Sequence, residues 1–172
     1  MRLFIAINLS KEAKDYLWQL KEEFRGVGKV KFTPKKNYHL TLKFIGEVSE
    51  DRLESIKQRL SKVYFDKFGV SLHQLGHFNH KVLWVNLNPR DKILELAKRI
   101  DGELTEFPND YSFNNHLTLA KIKYLDNKER FEERLGTKIK PLEFRITSFE
   151  LMKSELSKDG PKYTVLETYY LI

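Results

Sequence analysis

The chain contains no cysteine, which removes disulfide frameworks, thiolate zinc sites and cysteine nucleophiles together. It has no run approaching the roughly 18 apolar residues that a membrane helix needs. The opening RLFIAINL is too short for a secretory h-region, lacks a small-residue cleavage site and alternates like a strand, so a soluble, cytoplasmic protein is expected. No G-x-x-x-x-G-K-[ST] loop is present, so ATP use through a P-loop is not indicated. Low-complexity stretches and flexible interdomain linkers are also missing. Acidic residues are the scarcer charge: 24 against 31 basic leave +7 and a pI near 9.4. That balance fits a polyanionic partner such as RNA, and it fits equally a solvated Lys/Glu-rich surface of the thermophile kind. With 172 residues, 41% of them hydrophobic and 13% aromatic, the chain suits one globular domain, 1–172, or two small lobes sharing a core.

Against these absences stands a repetition. HLTLKFIGEV begins at His39 and HLTLAKIKYL at His116, 77 residues further on. What surrounds each copy also repeats. RLFIAINLSKEAKDYLWQL reads as strand, Ser10 cap and amphipathic helix, and VLWVNLNPRDKILELAKRI reads the same way. Each is followed by a linker, an HLTL strand and a short helix, SEDRLESIKQRL (Ser49 and Asp51 as caps) or DNKERFEERL. FGVSLHQL and FRITSFEL then correspond, and a turn over Gly76 to His80 joins FGVSLHQL to KVLWVNL. From histidine to the closing helical leucine is 21 residues in the first copy and 19 in the second. The expected fold is α+β, with two pseudo-symmetric lobes of antiparallel sheet placing the HLTL strands as mates across a central cleft.

Side chains two apart on a strand share a face, so His39 with Thr41, and His116 with Thr118, line the cleft while the leucines bury. Imidazole titrates near neutrality, so a facing pair can hold one proton acceptor and one donor at once. Threonine offers a hydroxyl donor to a phosphate oxygen. One acid, one base and two neutral donors suit displacement at phosphorus, with a cyclic phosphate as the natural substrate, since water must be activated and an alkoxide protonated. Packing alone would explain the leucines but not the repeated His and Thr. His73, His77 and His80 form a second cluster, H-x₃-H-x₂-H, but no carboxylate completes a set in the sequence, so no metal and no cofactor are expected. A paired-carboxylate hydrolase is disfavoured because the acids fall mainly on helix faces predicted to be exposed.

With those motifs in place, the chain resembles the two-histidine phosphoesterase superfamily, and within it the RNA 2′,3′-cyclic phosphodiesterases, also called 2′-5′ RNA ligases. The likeness runs from RLFIAINL through NYHLTLKFIGEV, KVLWVNL and NNHLTLAKI to SELSKDGPKYTVL, which resembles the family's closing hairpin. It implies RNA-recognition-motif-like lobes around a cleft and metal-independent hydrolysis of RNA 2′,3′-cyclic phosphate ends to 2′-phosphates. It also implies, in some members, reversible 2′-5′ ligation without ATP. By position, His39 and His116 become the acid–base pair, with His39 favoured as proton donor and His116 as general base, and Thr41 and Thr118 hold phosphate. Lys43, Phe44, Lys121 and Tyr163 are carried over as RNA- or nucleotide-binding residues, and a monomer is expected. Strict alternation points Phe44 and Lys121 away from the histidines, so their place at the site requires a twist or bulge, and core packing stays open for Phe44. Lys121 stands where arginine is usual, which loses a bidentate fork, and Asn115 where proline is frequent. A noncatalytic RNA-binding module, or an enzyme for small cyclic or 2′-5′-linked nucleotides, would share the fold.

Overall fold

A computed structural model of the chain describes residues 1–108 and 113–172. Its elements run β1 (Arg2–Asn8), α1 (Lys11–Leu20), β2 (Gly28–Phe32), β3 (His39–Glu47), α2 (Leu53–Leu60), β4 (Phe68–Phe78), β5 (Val82–Asn88), α3 (Arg90–Glu103), β6 (Leu117–Leu125), α4 (Lys128–Leu135), β7 (Glu143–Ile146), β8 (Ser148–Ser157) and β9 (Gly160–Tyr170). They form two antiparallel sheets, ordered β3-β1-β8-β9 and β2-β6-β5-β4-β7. This is the expected α+β fold. No helix among the described residues is long and apolar enough to cross a membrane.

The two halves exchange strands, which the repeat did not announce. β1 and β3 lie in the first sheet, but β4, from the same half, pairs with β5 in the second. β8, from the second half, returns to pair with β1. FRITSFEL therefore spans two strands, one in each sheet: Glu143–Ile146 pairs with β4, and the chain crosses over at Thr147.

One core lies between the sheets and their helices. Leu40 and Leu42 of the first motif, and Leu117 and Leu119 of the second, are each no more than 4% exposed. Each such leucine contributes roughly 1.5–3 kcal/mol by leaving water, so the motif strands are anchored by the residues that do no chemistry. Ser10 caps α1 as expected, its hydroxyl accepting from the Ala13 N–H at 3.2 Å. Ser49 does not cap α2. A 3-10 turn over Glu50–Arg52 intervenes, and neither it nor α2 has a side-chain cap. The β4–β5 turn is also tighter than expected. β4 continues to Phe78, and Asn79 and His80, both at positive φ, make the reversal. Gly76 lies inside the strand opposite Trp84, where any Cβ would come within 2.3 Å of the indole ring.

Candidate active site

A bulge at the same place in each HLTL strand builds the site. Across β1, His39 faces Asn8 and Thr41 faces Ala6, then Leu42 is passed over, so Lys43 faces Ile5 and Phe44 faces Phe4. Across β5, Thr118 faces Trp84, Leu119 is passed over, and Lys121 faces Val82. One extra residue reverses the alternation beyond it. His39, Thr41 and Phe44 therefore share one face of the first sheet, and His116, Thr118 and Lys121 one face of the second. The bulge that strict alternation demanded is present in both copies, and β3 packs against β6.

The same bulge removes Lys43 from the set expected to touch RNA. Its side chain is 0% exposed, on the core side of β3, with Nζ 2.5 Å from Asp101 Oδ1 on α3. A lysine so enclosed joins the lobe to its helix and offers nothing to a ligand. Phe44, by contrast, is 51% exposed, which answers the core-packing alternative, and it leans on Phe4 at 6.2 Å between centroids. Tyr163, from β9, meets Phe4 edge-on at 5.0 Å and His39 edge-on at 5.8 Å. Lys121 is exposed.

Each histidine is held in a comparable way. The His116 Nδ1 lies 3.1 Å from the carbonyl oxygen of Asn114, two residues back, and Phe78 stands edge-on to its ring at 4.9 Å. A carbonyl only accepts, so Nδ1 carries the proton and Nε2 is left with a lone pair. At His39 the carbonyl of Asn37, again two residues back, favours the protonated ring, although the buried Nδ1 makes no hydrogen bond of good geometry. Asn37 is itself buried and donates from Nδ2 to the Pro161 carbonyl at 3.0 Å, fixing the β8–β9 hairpin beside the first motif.

Burial disfavours charge on both rings. It pushes His39 down to about 4, with the nearby Lys14 ammonium adding to the effect, and it lowers His116 as well. Burial thus favours the neutral imidazole at both positions in the empty protein. Lys14 also faces Glu150, which sits in the row Thr41–Ala6–Glu150 across the first sheet. Burial raises the Glu150 carboxyl and lowers the Lys14 ammonium. Glu150, Phe78 and Trp84 were not singled out in the sequence. The only available signal was their place on alternate positions of strands whose neighbours were unknown.

The second histidine cluster divides. His73 is exposed at an irregular stretch of β4, while His77 and His80 meet Glu132 of α4, with His80 Nε2 2.8 Å and His77 Nε2 3.9 Å from Glu132 Oε1. The expectation that no carboxylate completes the set is thus corrected, because α4 folds one into place. The His80 backbone N–H donates to His77 Nδ1 at 3.0 Å, which leaves the His77 proton on Nε2, the atom a metal would need bare. The trio forms a hydrogen-bonded knot closing the β4–β5 turn onto α4. Two hollows elsewhere, one by Tyr64 and Arg99 and one by Val70 and Arg145, are lined by no histidine.

Two sheets that each present a bulged H-x-T-x strand, with the histidine half-buried and the threonine beside it, define a two-histidine phosphoesterase. The chain belongs to the 2′-5′ RNA ligase superfamily, whose family model matches residues 13–158. The RNA 2′,3′-cyclic phosphodiesterase of Methanocaldococcus jannaschii is 30% identical over 178 residues, covering 98% of this chain and 100% of that protein. That of Archaeoglobus fulgidus is 30% identical over 175 residues, covering 98% and 99%. Among solved structures, TT0787 of Thermus thermophilus superposes with a TM-score of 0.83 at 28% identity, covering 99% of this chain and 97% of that one. Escherichia coli LigT in its apo form superposes at 0.82 with 22% identity, covering 99% and 96%, which supports the fold.

Proposed function

We propose that this chain is an RNA 2′,3′-cyclic phosphodiesterase in which His39 and His116 face one another across the groove and act on one phosphate. His116 Nε2 takes a proton from water as the oxygen attacks phosphorus. The P–O3′ bond breaks, and His39 Nε2 delivers a proton to the departing 3′-oxygen, leaving a 2′-phosphate. Thr41 and Thr118 donate to the nonbridging oxygens as charge grows there. Phe44 and Tyr163 offer ring faces to the terminal base, and Lys121 a charge to the phosphate. A 5′-hydroxyl in place of water would give a 2′-5′ linkage by the same proton transfers, which is the ligation reading and needs no ATP.

The observation that carries this reading is the matching pair of bulged H-x-T-x strands, which put His39 with Thr41 and His116 with Thr118 each on one sheet face. At His116 the Asn114 carbonyl accepts from the Nδ1–H and leaves Nε2 for chemistry, whereas the His39 Nδ1 is buried without a hydrogen-bond partner. Burial also weighs against a noncatalytic RNA-binding module. A module that only held phosphate would gain nothing from burying its histidines, and burial lowers both rings in the empty protein. The test is an RNA ending in 2′,3′-cyclic phosphate, incubated in excess chelator, with the product end identified. A 2′-phosphate is expected. A 3′-phosphate, or loss of activity on adding chelator alone, contradicts the proposal.

A further inference from the structure

Beyond Lys121, the second sheet carries a basic strip that the proposed chemistry does not use. By register, Lys31 lies directly opposite Lys121, and Lys29 opposite Tyr124, on the same face as Thr118. Like charges paired across a ladder destabilise it, so Lys31 and Lys121 oppose the fold they sit in. Several lysines elsewhere are neutralised: Lys57 by Glu167, Lys92 by Glu95 and Lys153 by Glu155. Lys29, Lys31 and Lys121 make no ion pair among the described residues, and Tyr124 keeps its ring 54% exposed between them and the end of β6. On the inner side of this strip stands the tip of the β8–β9 hairpin, where Lys31 Nζ comes within 3.8 Å of the place a Cβ would occupy at Gly160.

From Thr118 to Tyr124, with Leu119 and Lys123 bulged out, is four regular strand steps, or about 13 Å, which carries the strip past the phosphate held at the motifs. We infer that Lys121, Lys31, Lys29 and Tyr124 form a track for the single-stranded RNA leading up to the cyclic phosphate, making the substrate an oligonucleotide and not a cyclic mononucleotide. Lysines along a strand follow successive phosphates without reading bases, and an exposed tyrosine at the far end stacks any base that reaches it. A duplex would have to fray before its end entered the groove, so the partner is an unpaired 3′ segment.

This inference rests on the reading of the histidine pair, and the experiment separates the two. Steady-state kcat/KM is measured for a cyclic mononucleotide and for a single-stranded ten-residue RNA ending in 2′,3′-cyclic phosphate, at several salt concentrations. In the natural chain the oligomer is expected to be favoured at least tenfold at low salt, with the advantage shrinking as salt rises. In Lys29→Ala/Lys31→Ala and in Tyr124→Ala the oligomer-to-mononucleotide ratio falls several-fold, and each lysine removed takes about 0.7 from the salt slope. Lys98→Ala, which removes one charge from an exposed position of α3, keeps the ratio. A ratio near one in the natural chain, or an equal loss in Lys98→Ala, overturns the track and leaves the histidine reading standing. Failure to turn over either substrate overturns the histidine reading itself.

Discussion

Binding of the substrate phosphate must change the protonation of His39. In the empty protein burial holds this ring at about 4, so at pH 7 only about one molecule in a thousand carries the proton that the leaving oxygen needs. A single negative charge about 4 Å from the ring, in a groove of effective dielectric near 20, favours the imidazolium by about 4 kcal/mol. At 1.36 kcal/mol per pH unit, this moves the titration by about three pH units, to about 7 in the complex. Burial also lowers His116, which favours the neutral ring that accepts from water, and the bound phosphate opposes that effect there as it does at His39. The two pH profiles should therefore separate. The profile of kcat/KM reports free enzyme and should peak below pH 6.5, whereas the alkaline limb of kcat reports the complex and should fall near pH 7 or above. NMR titration of the His39 ring, alone and with a nonhydrolysable nucleotide phosphate, checks the cause. If His39 titrates near 6.5 in the empty protein, or does not move when the nucleotide binds, the account of how this acid is charged is wrong.

The depressed pKa has a stability consequence of definite sign. Between pH 6.5 and about 4 the unfolded chain takes up a proton at His39 that the folded chain refuses, so stability falls with falling pH across that window. The loss has a ceiling of about 3 kcal/mol, and denaturant melts of His39→Gln should lack that part of the slope. Asp101→Asn should destabilise the fold by about 3 kcal/mol, because it takes the carboxylate from a lysine with no exposed side-chain surface, while Lys43→Met should cost much less. Chemical denaturation of the two variants side by side decides it, and a negligible cost for Asp101→Asn would contradict the account of the pair. Gly76→Ala should displace Trp84 from the face that carries Thr118, costing about 1–3 kcal/mol together with activity. Unchanged melting and turnover in that variant would refute the contact.

Much of this candidate site was legible because it was written twice. A single His-x-Thr can be an ordinary strand start, but two copies within matching surroundings selected His39, Thr41, His116 and Thr118 before any fold was known. The failure at Lys43 has a local cause. The bulge falls at Leu42, a residue whose type gives no sign of it, and everything beyond it changes face. Phe44 therefore reached the face that carries His39 and Thr41, and Lys43 went to Asp101, 58 positions away. Glu132 escaped notice for a related reason, since α4 and the β4–β5 turn meet only in three dimensions. The exchange of β4 and β8 between sheets was equally invisible, because alternation within a strand says nothing about which strand lies beside it.

The central claim is that the two HLTL copies supply halves of one active site, and a double-mutant cycle on turnover tests it most directly. Single-turnover rates on an RNA ending in 2′,3′-cyclic phosphate are measured for the natural chain, His39→Ala, His116→Ala and the double variant, all in excess chelator. Residues acting as a unit are grossly non-additive. Each single replacement should cost orders of magnitude, with the double variant scarcely slower than either. Losses that multiply, or full activity in either single variant, would mean that the two histidines do not work on the same phosphate.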